Sequence, residues 1–136
     1  MKLILYSADL STELELAFAD QGIRAGFPSP AQDAMTESID LNKELVRHPA
    51  TTFYARAVGD SMLGCGIDDG DLLIIDKGLE PGDGDIVVAY IDGEFTLKRV
   101  RLEPDGSCLW LMPENDSYHP IKVTEENDFI VWGVLT

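Results

Sequence analysis

Ser61 is the residue whose surroundings most suggest chemistry. It follows Gly59 and Asp60 in the stretch GDSM, where the glycine permits a tight backbone turn ahead of an apolar residue. A serine on such a turn can project its hydroxyl while its own backbone N–H and that of a neighbouring residue point to one spot, which is the geometry of an oxyanion hole. The serine could instead do no more than satisfy the turn. The local pattern leaves both interpretations open.

A nucleophilic serine needs a base, and the chain offers two kinds. The histidines are His48, at an expected helix end, and His119, in an expected loop. The other candidate is Lys98, which shares a face with Thr96 in the strand-like run EFTLKRV. If that face is buried, desolvation lowers the pKa of the lysine, and the neutral amine can accept a proton. A lysine that extends into water would have no such role.

The elements around these residues are predicted to be mostly β. From residue 52 onward the chain reads as roughly six or seven strands, which include TFYARAV, DLLIID, DIVVAYI, EFTLKRVRL, SCLWLMP and DFIVWGVL. Asp92-Gly93 is a strong signal for a two-residue hairpin. The spacing predicts a mainly β fold that is compact, highly curved and mostly antiparallel, with one or two short helices. One helix is expected in IDLNKELVRHP, with Asp40 as its cap and Pro49 beyond its end.

Residues 1–38 differ in sequence pattern from the rest of the chain and are predicted to form an extended N-terminal arm, with the β domain over 39–136. A short apolar start and a possible amphipathic turn, STELELAFADQG, precede the proline-containing segment RAGFPSP. Prolines remove backbone donors and favour extended structure in the residues before them. Ala25-Gly26 within this segment has small side chains, so an extended backbone there could enter a narrow cleft as an added strand.

The charge balance bears on the class of partner. The chain has 25 acidic and 10 basic residues and a formal net charge of −15. Counterion release from DNA requires clustered Lys and Arg, so direct DNA binding is not expected and the partners should be proteins. The negative charge could instead do no more than keep the protein soluble. No apolar run approaches the roughly 18–20 residues that a membrane span needs. The start MKLILYS is too short for a secretory signal, so a cytoplasmic location is expected.

The remaining candidates for chemistry have plainer interpretations. Cys65 and Cys108 are expected to be free thiols that fill the core. The acidic run at 68–71 fails as a calcium-binding EF-hand, because Ile74 stands where that loop requires glycine. Turn chemistry explains these aspartates. The histidines and cysteines lack ligand spacing, so neither a metal nor a cofactor is expected.

Six motifs, taken in order, resemble those of the LexA/UmuD family of self-cleaving Ser-Lys proteins: RAGFPSP, IDLN, GDSM, DGDLLIID, GDIV and DGEFTLK. The resemblance covers residues 25–134 and is closest to the UmuD branch, in which the protein is a translesion polymerase subunit of SOS mutagenesis. Only about 25 residues precede the cleavage-site match, and they contain no helix-turn-helix. The resemblance implies a fold of the LexA C-terminal-domain type.

The resemblance also implies residue roles. Ser61 would be the nucleophile and Lys98 the general base, with backbone N–H groups of Asp60 and Ser61 as the oxyanion hole. The bond between Ala25 and Gly26 would be the substrate. The polymerase-subunit branch often has Cys before the scissile glycine, whereas this chain has Ala25, as in the repressor branch.

The partners that the resemblance implies are three: a RecA filament on single-stranded DNA, which would stimulate cleavage; an UmuC-like catalytic subunit of a translesion polymerase; and a second copy of the chain in a homodimer. One alternative is a non-catalytic acidic binding module that regulates a polymerase or recombinase, with Ser61 and Lys98 vestigial. Another is a prophage-type antirepressor or repressor fragment of the same fold.

Overall fold

The alternating apolar segments of the chain form strands in a computed structural model that describes residues 2–7, 15–19 and 35–136. Within these ranges there are ten strands, a single α-helix and two 3-10 helices, Pro49–Thr51 and Leu63–Cys65. The strands and the helix are β1 (Lys2–Ser7), β2 (Glu15–Ala19), β3 (Met35–Asp40), α1 (Leu41–Leu45), β4 (Thr52–Val58), β5 (Leu72–Asp76), β6 (Ile86–Ile91), β7 (Glu94–Leu102), β8 (Leu109–Met112), β9 (Ile121–Val123) and β10 (Phe129–Leu135). No helix of the described ranges is long and apolar enough to cross a membrane.

The chain divides into two units, and the smaller one spans residues 9–49. It contains an antiparallel pair, β2 and β3, in which Glu15 lies opposite Asp40. Asp40 also caps α1, because its carboxylate accepts a hydrogen bond from the backbone N–H of Asn42 at 3.0 Å. The cap predicted from the sequence is therefore confirmed. The possible amphipathic turn in STELELAFADQG is wrong where it is described, since Glu15–Ala19 is strand β2.

The larger unit comprises residues 1–8 and 50–136 and is built on one eight-stranded sheet. The strand order is β1-β4-β5-β10-β6-β7-β8-β9, and every pair of neighbouring strands is antiparallel. The mainly β, antiparallel fold predicted from the sequence is confirmed, and so are the six strands from residue 52 onward. Strand β9 was not predicted, because three residues are too few to show a period.

The hairpin between β6 and β7 has the turn that its sequence predicts. Ile91 pairs with Glu94, which leaves Asp92 and Gly93 as a two-residue loop. Both loop residues have positive φ, 48° and 92°, as a type I′ turn requires. The Asp92 carboxylate accepts hydrogen bonds from the Asn127 side chain at 2.7 Å and the Asp128 backbone N–H at 3.0 Å. This loop fixes the register of the strand that carries Lys98.

The sheet is curved, so strands that are far apart in its order share a core. Three strands separate β4 from β7 in the sheet, yet residues of both strands pack in one cluster. Strand β1 also contacts β7. This cluster consists of Phe53, Ala55, Ala57, Met62, Ile67, Leu73, Ile75, Val88 and Leu97. A second cluster packs on the other side of β6 and comprises Val87, Ala89, Ile91, Val100, Leu111 and Val134.

A β-bulge in β10 lies where this curvature is needed. The register of β10 against β6 shifts between Val131 and Gly133, and such bulges bend a strand and increase its twist. At Gly133 the neighbouring strand approaches closely. A Cβ atom built there would lie 2.5 Å from Cγ2 of the buried Ile75 and 3.3 Å from the backbone oxygen of Asp76. Only glycine fits at this crossing.

We therefore expect Gly133→Ala to lower the free energy of unfolding by about 1–3 kcal/mol, the usual cost of overpacking a core. Urea denaturation followed by tryptophan fluorescence measures the change. The matched control is Gly82→Ala, since a Cβ there meets only the Asp85 carboxylate at 3.6 Å. We expect the control to change stability by less than about 0.5 kcal/mol. Equal stability of the two variants would contradict the close approach at Gly133.

Candidate active site

The turn that carries Ser61 begins where β4 ends. Gly59 has a φ of 103°, a conformation that suits glycine and lets the chain leave the strand sharply. The backbone N–H of Gly59 donates a hydrogen bond to the Asp69 carboxylate at 2.8 Å. Met62, fully buried in the core, anchors the other side of the turn. Ser61 itself is held between these anchors and has no exposed surface.

The acidic run at 68–71 supports this turn. The Asp71 carboxylate accepts a hydrogen bond from the Asp68 backbone N–H at 2.8 Å, and Gly70 has a φ of 89°. These are turn interactions, as the sequence predicts. The link from Asp69 back to Gly59 was not predicted, because the two residues are ten positions apart and nothing in the local pattern pairs them.

Lys98 is buried at the centre of β7. It pairs with Val87 of β6, and only 4% of its surface is exposed. Its Nζ atom lies 3.1 Å from Ser61 Oγ, 2.8 Å from Thr96 Oγ1 and 3.1 Å from the backbone oxygen of Leu97. The structure thus brings together the two side chains that the sequence singled out. Thr96, which the sequence placed only on the same face, is a third member of the group.

Burial controls the protonation of this lysine. Desolvation lowers the pKa of Lys98, because a buried ammonium loses its hydration. Among the described residues, no carboxylate lies within ion-pair distance of Nζ to compensate. The three contacts suit a neutral amine, which has two N–H donors and one lone pair. A neutral amine can donate to Thr96 Oγ1 and the Leu97 carbonyl and still accept a hydrogen bond from the Ser61 hydroxyl.

At the Ser61 turn, the backbone N–H groups and the backbone carbonyl groups differ in whether they make hydrogen bonds. Within the described part of the chain, the N–H groups of Asp60 and Ser61 have no hydrogen-bond acceptor. The carbonyl of Asp60 accepts from Leu63 N–H at 3.3 Å, and the carbonyl of Ser61 accepts from Glu114 N–H at 2.8 Å. Two unused, adjacent N–H groups beside a buried hydroxyl are what an oxyanion hole requires.

Glu114 is a residue of the site that the sequence did not reveal. Its backbone N–H and carbonyl bond to Ser61 and Gly64, at 2.8 and 2.6 Å. Its carboxylate accepts a hydrogen bond from Arg99 Nε at 2.5 Å, and Arg99 directly follows Lys98 in β7. One residue therefore ties the Ser61 turn to the strand of the lysine. The segment PEN offered no signal for this role, because it reads as an ordinary polar loop.

Gly64 shows how tightly the two segments approach. A Cβ atom at this position would lie 2.5 Å from the backbone oxygen of Glu114. That oxygen is fixed by its hydrogen bond from Gly64 N–H, so it cannot move away without loss of the bond. The glycine is required by space here, since no positive φ is involved.

The histidines, the cysteines and the expected cleavage site were the other candidates from the sequence. His48 and His119 are exposed, whereas Lys98 contacts Ser61 directly. Cys65 and Cys108 are free thiols, as predicted, but both are only partly buried. Cys65 packs against the core beside Met62, whereas Cys108 belongs to neither core cluster. Ala25 and Gly26, the bond expected to be cut, lie outside the described residues.

Comparisons with known proteins place the chain in a family. A family model described as Peptidase S24-like matches residues 18–136. Protein SamA of Salmonella typhimurium strain LT2 is 48% identical over 82% of this chain and 76% of its own length. Protein ImpA of Escherichia coli is 45% identical over 88% of this chain and 79% of its own length.

A third relative is similar over almost the whole chain. Protein MucA of Escherichia coli is 40% identical over 98% of this chain and 90% of its own length. The match of the family model includes β4, β7 and the segment after β8, which are the elements that build the Ser61–Lys98 site. The chain belongs to the Peptidase S24-like family.

Proposed function

We propose that the protein hydrolyses its own chain between Ala25 and Gly26, with Ser61 as nucleophile and Lys98 as general base. The observation that carries the proposal is the 3.1 Å contact between Lys98 Nζ and Ser61 Oγ, with both side chains buried. A serine hydroxyl is a weak nucleophile unless a base takes its proton, and a desolvated lysine is such a base. Membership of the Peptidase S24-like family supports the same chemistry.

The first step forms a tetrahedral intermediate, and the acyl-enzyme follows when the amine leaves. Neutral Lys98 accepts the proton of Ser61, and Ser61 Oγ attacks the carbonyl carbon of Ala25. The backbone N–H groups of Asp60 and Ser61 donate hydrogen bonds to the oxyanion that develops. Thr96 and the Leu97 carbonyl hold the amine so that its lone pair remains directed at the hydroxyl.

The second step releases the new amino terminus. The tetrahedral intermediate collapses, the bond from Ala25 to the Gly26 nitrogen breaks, and the Lys98 ammonium gives its proton to that nitrogen. Water, deprotonated by the neutral lysine, then hydrolyses the ester at Ser61 and restores the hydroxyl. Each chain contains one such bond, so each protein reacts once. The reaction is a switch rather than a metabolic turnover.

The switch needs a gate, because a permanently docked cleavage segment would be cut at once. We propose that the segment around Ala25 docks only part of the time, and that a RecA filament on single-stranded DNA binds the docked state more tightly than the undocked one. A ligand shifts such an equilibrium only by its differential affinity for the two states. The resemblance to the LexA/UmuD family supports this choice of stimulus.

Cleavage would convert the protein into its active form in SOS mutagenesis, an accessory subunit of a translesion polymerase in the cytoplasm. Removal of residues 1–25 takes away two basic and four acidic residues, so the formal net charge changes from −15 only to −13. Bulk charge therefore does not explain the activation. We propose that cleavage uncovers surface for an UmuC-like catalytic subunit and for a second copy of the chain.

The proposal predicts spontaneous cleavage that accelerates with pH. Because burial lowers the pKa of Lys98, the neutral amine becomes the dominant form before an ordinary lysine would deprotonate. Incubation of the full chain from pH 7 to pH 10 should therefore yield a fragment that begins at Gly26, with a rising rate. Intact-mass spectrometry measures the rate and the position of the cut together.

Two substitutions should abolish this cleavage, Ser61→Ala and Lys98→Ala. Loss of a catalytic serine or its base typically costs at least about 10⁴-fold in rate. The matched controls, Ser107→Ala and Lys43→Ala, remove an exposed serine and an exposed lysine, and they should cleave at the wild-type rate. A wild-type chain that stays intact at pH 10 and with activated RecA filament would instead favour the non-catalytic binding module.

A second prediction concerns stability. A lysine whose pKa is lower in the folded than in the unfolded chain destabilises the fold by about 1.4 kcal/mol per unit of lowering. That cost is full below the folded-state pKa and disappears as the pH rises to about 10.4, the unfolded value. Lys98→Met should therefore lose its stability advantage over wild type between pH 7 and pH 10.

Urea denaturation at several pH values measures this difference, with the Ser61→Ala background used to keep the chain intact. Lys43→Met controls for the general loss of a cation, because Lys43 is exposed. If the unfolding free energies of Lys98→Met and Lys43→Met, each relative to wild type, depend on pH in the same way, then the pKa of Lys98 does not fall when the chain folds. The general-base role would then be excluded.

A further inference from the structure

The segment after β8 bonds to the Ser61 turn at several points. The backbone of Glu114 bonds to Ser61 and Gly64, as described above. Two side chains that follow it both reach one residue of the turn. Asn115 Nδ2 donates a hydrogen bond to the carbonyl oxygen of Asp60 at 2.9 Å, and the Tyr118 hydroxyl donates to the Asp60 carboxylate.

We propose that Asn115 and Tyr118 are positioning residues, which hold Asp60 so that the N–H groups of Asp60 and Ser61 are directed at the oxyanion. The inference rests on the proposed self-cleavage. It adds residues that act through Asp60 and do not touch the reacting atoms.

The geometry of the peptide group links the bond from Asn115 to the N–H of Ser61. The carbonyl of Asp60 and the N–H of Ser61 belong to one planar trans peptide, so they point in opposite directions. A donor that fixes the carbonyl oxygen therefore also fixes the direction of the N–H. The bond from Leu63 N–H to the same oxygen is longer, at 3.3 Å. Asn115 thus provides the shorter of the two restraints on this peptide.

Tyr118 restrains the other end of Asp60. Its hydroxyl holds the carboxylate, whose negative charge would oppose an oxyanion if it turned toward the hole. The same hydrogen bond raises the pKa of Tyr118 above its ordinary value, because the carboxylate stabilises the protonated phenol. The bond therefore persists in the alkaline range where cleavage is measured.

Asn115 is itself held by its own segment. Its Oδ1 atom accepts a hydrogen bond from Ser117 N–H at 2.9 Å, and its carbonyl accepts from Tyr118 N–H at 3.0 Å. The side chain thus has two separable roles: Oδ1 shapes its own loop, and Nδ2 reaches Asp60. An aspartate at this position would keep the first role and lose the second, since an ionised carboxylate only accepts hydrogen bonds.

The test compares Asn115→Asp and Asn115→Ala with wild type. A misdirected oxyanion donor typically costs about 10²-fold in rate, so we expect both variants to cleave roughly 10–100-fold more slowly. The pH at which the cleavage rate rises should be the same in these variants as in wild type, because the pKa of Lys98 sets it.

We expect Tyr118→Phe to cleave roughly 3–10-fold more slowly than wild type, since the substitution removes one restraint on the Asp60 side chain. Cleavage is followed by intact mass, at temperatures where thermal unfolding shows each variant to be folded.

The matched control is Asn127, whose Oδ1 atom likewise accepts from a backbone N–H of its own loop and whose Nδ2 atom likewise donates to an aspartate, there to the carboxylate. Its Oδ1 atom accepts from Thr124 N–H at 2.9 Å, and its Nδ2 donates to Asp92 at 2.7 Å. Asn127→Asp and Asn127→Ala should cleave at the wild-type rate. Wild-type cleavage by Asn115→Asp would show that the side chain only shapes its loop and would overturn the proposal.

A second measurement keeps this inference separate from the proposed function. In the Ser61→Ala background the chain stays intact, and amide hydrogen exchange by NMR reports the order of the turn directly. We expect the amides of residues 59–64 to exchange faster in Asn115→Asp than in Asn127→Asp. An intact wild-type chain would overturn self-cleavage but not this comparison. Equal exchange in the two variants would overturn the positioning role.

Discussion

The site depends on one costly arrangement, an amino group held away from water against a serine hydroxyl. The fold provides Lys98 with two hydroxyls and a carbonyl within 3.1 Å but, among the described residues, no carboxylate. A carboxylate at that distance would stabilise the ammonium and remove the lone pair that a general base needs. Burial lowers the pKa of Lys98, and among the described residues no carboxylate at ion-pair distance opposes that effect.

The rest of the larger unit makes this arrangement possible. Ser61 follows β4 and Lys98 lies in β7, and three strands separate β4 from β7 in the sheet. The hydroxyl and the amine therefore meet only because the sheet curves. The bulge at Gly133 and the shared core of β4 and β7 support that curvature. Glu114 then adds a direct connection, because its backbone holds the Ser61 turn and its carboxylate holds Arg99. The separation of the two reactive groups is set by both a core and a polar link.

The sequence predicted the parts of this structure that local patterns encode. Alternation identified most strands, Asp92-Gly93 identified the hairpin, and Asp40 identified a helix cap, because each signal lies within a few residues of its effect. The contact between Ser61 and Lys98 required the resemblance to a family, since a serine and a lysine far apart in sequence are not paired by any local rule. Glu114, Asn115 and Tyr118 were not found. These residues make hydrogen bonds to parts of the chain that are distant in sequence. Many of these bonds involve backbone atoms, which every residue has, so the residue type does not indicate them.

The aspartates of the chain have a structural use that bears on its strong negative charge. Among the residues that the structure describes, eight aspartates in or beside a turn, bend or helix start accept a hydrogen bond from a backbone N–H: Asp40, Asp69, Asp71, Asp76, Asp83, Asp85, Asp92 and Asp105. Eight of the 25 acidic residues thus help to fold many strands into a short chain with sharp corners, so the acidity does not by itself imply a basic partner. Substitutions that reduce the negative charge should therefore begin with exposed glutamates such as Glu80 and Glu125. The aspartates at the turns should be replaced only by asparagine, whose side-chain oxygen can still accept the hydrogen bond from the backbone N–H.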